Sequence, residues 1–279
     1  MFVDFHMHST ASDGVLTPQQ LLAHARTQQV HHLSITDHDS FAAYEQRTLW
    51  DEGDIRITVG AEFSTQWSGV GIHVLAYDCD PQAPCMQDLV KHQTQARRQR
   101  ALRIAERLEK QGLHGVGEWL QQRGLERYIG RPDFARYLVE SQQVKNIQQA
   151  FKKYLGAGKA GDVKQSWADL ETVIEAIEQS GGLAVLAHPD KYKLTNAKLK
   201  RLLMHFKQLG GRGMEVVSGR QLPDRTEYLG RLCTQFELYA STGSDFHEPG
   251  KAWCELGRQS ALPSQIARVE TLFKTTDED

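Results

Sequence analysis

The stretch "DFHMHSTASDG" places His6 and His8 one residue apart near the start of the 279-residue chain. If residues 2–8 form a strand, Val3, Phe5 and Met7 share one face and Asp4, His6 and His8 the other. The first set is a core face. The second needs partners, because burying imidazoles and a carboxylate without them is costly. A metal ion would serve, but an exposed strand face near a terminus also accommodates two histidines, which are often only half buried.

The same residue types recur at the ends of other apolar runs. Asp13 stands in "SDG", His38 in "TDHD", Glu62 after "ITVGA", His73 within "GIHVL", His188 after "LAVLA", and Asp245 and His247 in "GSDFH". Six of the twelve histidines therefore occupy predicted strands or strand ends. In a barrel of parallel strands the C-terminal ends converge on one face, so residues far apart in sequence would meet there. Imidazoles and carboxylates without cysteine suit Zn, Mn, Fe or Mg. Nine such groups exceed what one ion takes, which predicts two or three divalent ions. Gathering them with no cation would be costly in repulsion and desolvation.

The elements that must position these groups alternate. "TPQQLLAHARTQQ", with Pro18 in its first turn, reads as a helix before the strand "VHHLSITD". "IRITVGAEFS" and "GIHVLAYD" read as two further strands, adjacent in one arrangement. After residue 165 "DLETVIEAIEQSG", "NAKLKRLLMHFKQLG" and a segment near 223–236 read as helices, interleaved with the strands "GLAVLAHP", "GMEVVS" and "LYASTGSDFH". This rhythm predicts parallel pairing in an α/β barrel or open sheet. Residues 84–160 break it with helical patterns only, which predicts an all-helical insertion between 1–83 and 161–279.

Charge divides along similar lines. Residues 91–165 hold 16 Lys/Arg against 7 Asp/Glu, and the remainder 17 against 28, within a net charge of −2. An acidic body suits cations and a basic segment suits an anionic ligand. Hydrophobic content is 40%, no apolar run nears 18 residues, and the N-terminus lacks a basic-then-apolar signal pattern, which predicts no membrane association. Four cysteines without C-x-x-C spacing predict structural thiols and a cytoplasmic home. No obligate protein partner is evident, and the tail "KTTDED" is expected to fray.

In this order, "DFHMHS", "SDG", "TDHD", "GAEFS", "IHVLAY", "LAHP" and "GSDFH" resemble the polymerase-and-histidinol-phosphatase (PHP) family of metal-dependent phosphoesterases over nearly the whole chain. The resemblance implies an α/β fold, a distorted (β/α)7 barrel with the helical insertion, and a trinuclear metal site with manganese as first choice. One ion would be held by His6, His8, Glu62 and Asp245. A second would share Glu62 with His73 and His188, and a third would use Asp13, His38 and His247. Within the insertion, "ARRQRA", "GRPDFARYLVE", "FKKYLGAGK" and "QSW" resemble a branch of 5′-to-3′ exoribonucleases and 3′,5′-nucleoside bisphosphate phosphatases. That branch implies attack by a metal-bound hydroxide on RNA 5′ ends or on bisphosphates such as pAp, with phosphate bound by Arg97, Arg100 and Arg131. The alternatives are a small-molecule phosphatase of the histidinol-phosphate type and a non-catalytic nucleic-acid-binding module. The basic insertion speaks against the first and the full set of nine groups against the second.

Several residues stay open at this level. Arg97 and Arg100 share a helix face, and their planar forks suit phosphate. Arg98 and Arg103 equally fit a solvated helix paired with Glu106 and Glu109. Lys159 in "GAGK" could reach phosphate, although the spacing is not that of a Walker A loop. Asp4, Asp37 and Asp39 are candidates to orient ligating histidines, with Asp39 equally able to start a helix. Asp133 stands where relatives carry histidine, and "HPDKY" and "GDVKQSW" carry charged replacements near the expected pocket. Trp167, Tyr192 and Phe134 could stack on a base or simply fill a core.

Overall fold

The computed structural model describes residues 2–45, 55–125, 128–164 and 167–274; Gln165 and Ser166 of "QSW" and the tail after Lys274 lie outside them. Near the N-terminus β1 (Phe2–Asp4), β2 (Val30–Leu33) and β3 (Arg56–Ile57) form a parallel three-stranded sheet. The helix α1 (Pro18–Thr27) joins the first two. Thr17 Oγ1 accepts from Gln20 N at 3.2 Å and Gln20 Oε1 accepts from Thr17 N at 2.9 Å, a reciprocal cap ahead of Pro18.

A second sheet runs in chain order through β4 (Gly60–Trp67), β5 (Val70–Tyr77), β6 (Leu183–Leu186), β7 (Gly213–Ser218) and β8 (Tyr239–Gly243). β4–β5 and β5–β6 pair antiparallel, β6–β7 and β7–β8 parallel. This corrects the expectation of parallel pairing throughout. The cause at β4–β5 is local: only Ser68 and Gly69 separate the strands, both at positive φ (47° and 76°), and a two-residue turn can return a strand only antiparallel.

Between β5 and β6 lie α2 (Pro84–Glu109), α3 (Val116–Arg123), α4 (Arg131–Glu140) and α5 (Ile147–Ala150), then α6 (Leu170–Gln179); α7 (Asn196–Gln208) and α8 (Pro223–Gln235) alternate with β6–β8. The chain divides into two compact units, Met1–Val90 with Ala168–Asp279, and Lys91–Trp167. Both boundaries fall seven residues later than the loss of strand rhythm suggested. Packing explains this, because Met86 and Leu89 of α2 belong to the sheet unit's core with Phe63, Leu170 and Val173.

In the sheet unit, α6 buries Leu170, Val173, Ile174 and Ile177, a helical stripe, in the same cluster as Ile72, Val74, Leu186, Met214 and Val216. Phe5 packs with Leu75, Tyr77 and Phe273, and Met7 with Leu21, Leu33 and Phe246, so the apolar alternation of the opening stretch is used in two different clusters. Only Phe2–Asp4 of residues 2–8 is regular strand. Beyond it, Phe5 N donates to Thr242 O (3.1 Å) and His8 N to Phe246 O (2.8 Å), carrying the chain alongside the end of β8. At the other margin Asp39 N donates to Glu62 O (2.9 Å) and Glu62 N to Asp37 O (3.1 Å).

The helical unit has its own core, including Leu108, Val116, Leu120, Phe134, Leu138 and Leu155. Among the described residues no helix is long and apolar enough to cross a membrane.

Candidate metal centre

All nine groups singled out in the sequence belong to the sheet unit: Glu62 lies within β4, His73 within β5, and the other seven in segments outside the named strands. Four sets of their ligand atoms lie within 4.8 Å of one another: His8, Asp13, His38 and His247; His6, Glu62 and His188; His6, His8 and Asp245; and His38, Glu62 and His73. The grouping overlaps the one implied by the family resemblance but differs in detail. His8 joins the Asp13 set, and His73 and His188 approach Glu62 from different neighbours.

Glu62 is the hub. Its Oε1 lies 2.8 Å from both His73 Nδ1 and His188 Nε2. Its Oε2 lies 3.1 Å from His38 Nδ1 and 3.4 Å from both His6 Nε2 and His8 Nε2. The carboxylate is almost fully buried. Burial alone would raise its pKa, but His73, His38 and His6 hold it well below the usual carboxylate range.

Two backbone approaches allow this convergence. A Cβ on Gly243 would stand 2.3 Å from His6 Cβ, so β8 can pass His6 only at a glycine. A Cβ on Gly14 would stand 2.1 Å from His8 O, which explains the glycine closing "SDG" and the tight turn presenting Asp13. His188 and Asp245 sit at φ 24° and 55°, conformations that cost of order 1–3 kcal/mol each in non-glycine residues and cluster at functional sites.

The donor set fits divalent cations. His6 Nδ1 lies 3.0 Å from Glu215 Oε1; a carboxylate can only accept, so Nδ1 carries the proton and Nε2 turns a lone pair inward. That lone pair is 3.3 Å from His8 Nε2, 3.4 Å from Glu62 Oε2 and 3.5 Å from Asp245 Oδ1. His8 Nε2 is in turn 3.3 Å from Asp245 Oδ1. Ligands bound at about 2.1 Å to a tetrahedral ion stand about 3.4 Å apart. His188 Nδ1 is buried without a hydrogen-bond partner among the described residues, so its Nε2 at Glu62 is its one engaged nitrogen.

Electrostatics tie Asp13, His38 and His247 together. Burial works against charging His247, yet the Asp13 and Asp245 carboxylates lift it to about 9. Burial also pushes His38 well below the ordinary histidine range, with Glu62 and Asp13 opposing. Asp13 lies low in spite of burial, through His38, His247 and His8.

The three aspartates expected to orient histidines also accept from loop backbone and hydroxyl groups. Asp4 accepts from the backbone of Ser244 (2.8 Å), Gly257 (2.9 Å) and His6 (3.3 Å). Asp37 accepts from Ser9 N (2.8 Å), Ser9 Oγ (2.6 Å) and Ser12 Oγ (2.5 Å), and Asp39 from Ser64 N (2.7 Å). They brace the loops that carry the candidate groups. Glu215 orients the His6 ring through Nδ1 and also accepts from His188 N at 2.6 Å. Its signal in the sequence was one acid inside the apolar strand "GMEVVS". Lys191 of "HPDKY" is a second residue the sequence left unassigned, and its Nζ contacts Asp245 Oδ2.

In the helical unit Arg97, Arg100 and Arg131 come together. Burial first, then Arg131 and Arg97, lower the Arg100 pKa to about 10. Arg97 lies over the rings of Tyr128 and Trp167 at 4.4 and 4.9 Å, Arg100 Nε donates to Val163 O (3.2 Å) and an Arg131 Nη to Leu155 O (3.2 Å). The Asp162 carboxylate, 3.7 Å from an Arg131 Nη, offsets part of the repulsion among the three guanidinium groups, and a bound anion would relieve the rest. Arg98 is tied differently, through Nε to Leu125 O at 3.1 Å. Asp133, buried, accepts from Arg123 (2.9 Å), Arg136 (3.0 Å) and Gly130 N (2.8 Å), so it caps α4 and pairs two other arginines. Phe134 is fully buried against Trp119, which removes it as a base platform. Tyr192 donates to Ala187 O (2.5 Å) and receives from His73 N (3.0 Å), bracing two ligand-bearing segments.

No protein-family model matches the sequence. The 5′-3′ exoribonuclease Rnm of Escherichia coli is 41% identical over 274 residues, spanning 97% of this chain and 93% of its own. The 3′,5′-nucleoside bisphosphate phosphatase of Chromobacterium violaceum is 34% identical over 266 residues, spanning 94% and 92%. Among solved structures, an amidohydrolase from Chromobacterium violaceum with bound sulfate and no metal superposes with a TM-score of 0.87 at 33% identity, covering 98% of this chain and 95% of its own. A metal-dependent phosphoesterase from Bifidobacterium adolescentis gives a TM-score of 0.75 at 26% identity, covering 97% and 93%.

Proposed function

Since the chain belongs to the PHP family of metal-dependent phosphoesterases, in the branch of 5′-3′ exoribonucleases and 3′,5′-nucleoside bisphosphate phosphatases, we propose that it removes 5′ mononucleotides from RNA and hydrolyses pAp-type bisphosphates at its nine-residue centre. The carrying observation is the buried Glu62 carboxylate shared by imidazole nitrogens of His6, His8, His38, His73 and His188. Two to three divalent ions, manganese first, would be held by these residues with Asp13, Asp245 and His247. When bound, such ions polarise phosphoryl oxygens and lower the pKa of a coordinated water.

The two reactions are one. In RNA bearing a 5′-phosphate and in pAp alike, water adds to phosphorus, the P–O3′ bond breaks, and the 3′ oxygen leaves with a proton. Glu62 fixes the spacing of the ligand sets, Glu215 fixes the tautomer and tilt of His6, and Asp4 and Asp37 hold the ligand loops. Arg97, Arg100 and Arg131 take substrate phosphate. Their mutual repulsion and half-buried positions support this, since phosphate relieves both. The bonds at 5–242 and 39–62 support a distorted barrel uniting the two sheets. Four free thiols support a reducing, cytoplasmic home.

The test offers 5′-phosphorylated RNA, pAp and histidinol phosphate in parallel to protein loaded with Mn²⁺. Release of 5′ mononucleotides and of AMP from pAp is expected. Phosphate released from histidinol phosphate alone would overturn the reading in favour of a small-molecule phosphatase.

A further inference from the structure

The chain leaving β7 is laced to the end of β8, just ahead of Asp245. Gly219 N donates to Gly243 O (2.8 Å), and Arg220 N donates to Trp253 O (2.7 Å). Beside this lacing lies a cleft of about 330 Å³ lined by Arg220, Gly250, Ala252, Glu255 and Arg258. Its volume is at the low end for ligand cavities, roughly 300–1,000 Å³.

The charge in the cleft is unbalanced. Glu255 is engaged, accepting from His24 Nε2 at 2.7 Å and Gly250 N at 3.0 Å. Arg258 Nε donates to Gln28 Oε1 (2.8 Å), and Arg220 Nε to Arg258 O (3.4 Å), so neither guanidinium is spent on a carboxylate among the described residues. Trp253 is 63% exposed and Leu222, two residues beyond Arg220, is 72% exposed. No other large apolar side chain among the described residues is as open to water. An aromatic face beside unneutralised guanidinium groups is the chemistry that holds unpaired nucleotides, by stacking and by phosphate contact.

We propose that Arg220, Arg258 and Trp253 form the track for the single-stranded RNA that trails the nucleotide being removed. The proposal rests on the exoribonuclease reading of the adjoining centre. It also separates the two substrates. A 3′,5′-bisphosphate ends at its scissile phosphate and has nothing to lay in the track, whereas RNA continues beyond it. Stacking is indifferent to base identity, so the track would confer little sequence preference.

The experiment compares wild type, the double variant R220A/R258A, and W253A, all metal-loaded. Binding of a 5′-phosphorylated, phosphorothioate-linked RNA decamer is followed by fluorescence anisotropy across salt, and turnover is measured on an unmodified decamer and on pAp. We expect the decamer Kd and KM to rise about tenfold in each variant, with pAp kcat/KM within twofold of wild type. The salt dependence of the double variant should flatten by roughly 1.4 in log–log slope, two phosphate contacts at about 0.7 each. Unchanged decamer binding overturns the track, and so does an equal loss on decamer and pAp, which would mean damage to the metal centre. If wild type leaves the decamer intact, the exoribonuclease reading falls, while the anisotropy still decides whether these residues bind RNA.

Discussion

A neutral imidazole has one proton to give, so whatever fixes that proton fixes which nitrogen faces the ions. At His6 the fixing group is Glu215. Replacing it with Gln should lower metal affinity or turnover roughly 10- to 100-fold while leaving the fold intact, as removal of such supporting groups typically does. Metal content by elemental analysis beside a circular dichroism spectrum checks this, and full metal occupancy with normal turnover would remove Glu215 from the machinery. A second histidine bears on stability. Burial, with Arg56, brings His32 from 6.5 down to about 4. Its Nε2 lies 2.8 Å from Thr58 Oγ1, and its ring packs edge-on to Phe5. Between pH 6.5 and 4 the unfolded chain binds a proton there that the folded chain refuses, so stability falls as pH falls through that window. Urea unfolding of chelated wild type and His32→Gln at pH 7 and pH 5 isolates this histidine, because all other groups are common to both. The variant should lose less stability on acidification; equal losses would assign the acid sensitivity elsewhere.

Among the elements, α4 depends on one carboxylate at its start. Asp133 closes the reciprocal cap with Gly130 N and holds Arg123 and Arg136. Asp133→Ala therefore leaves an uncapped amide and two unpaired guanidinium groups, which should cost about 2 kcal/mol. Thermal unfolding would register the loss, with Asp133→Asn recovering part of it by keeping the cap; an unshifted midpoint would show that the arginines find other partners. The same element shows why spacing alone misleads. Arg131 and Arg136 lie five apart on α4, yet one joins Arg97 and Arg100 and the other neutralises Asp133.

For the molecule as a whole, the two units differ in what stabilises them. Both have apolar cores, but only the sheet unit also gathers nine imidazole and carboxylate groups, and the divalent ions proposed there would relieve the repulsion among its carboxylates. Metal bound at 100 times its Kd adds about 2.7 kcal/mol to the unit that binds it. Chelation should therefore lower the unfolding midpoint, and added Mn²⁺ should restore it. Scanning calorimetry with and without chelator tests this. An unchanged trace would mean that the cluster holds no ions strong enough to matter.

The sequence by itself singled out the nine groups that converge, because imidazoles and carboxylates beside apolar runs are costly to bury without partners. It also determined the helical character of the insertion, whose residues lack a strand period. Tertiary structure decided the rest. Which strands run antiparallel depended on a two-residue turn at Ser68–Gly69. Whether Asp4, Asp37 or Glu215 touches an imidazole depended on which loop passes a few ångströms from which ring. Residue types announce that charge must be compensated, whereas the partner that compensates it is a matter of distance, and distance belongs to the folded chain.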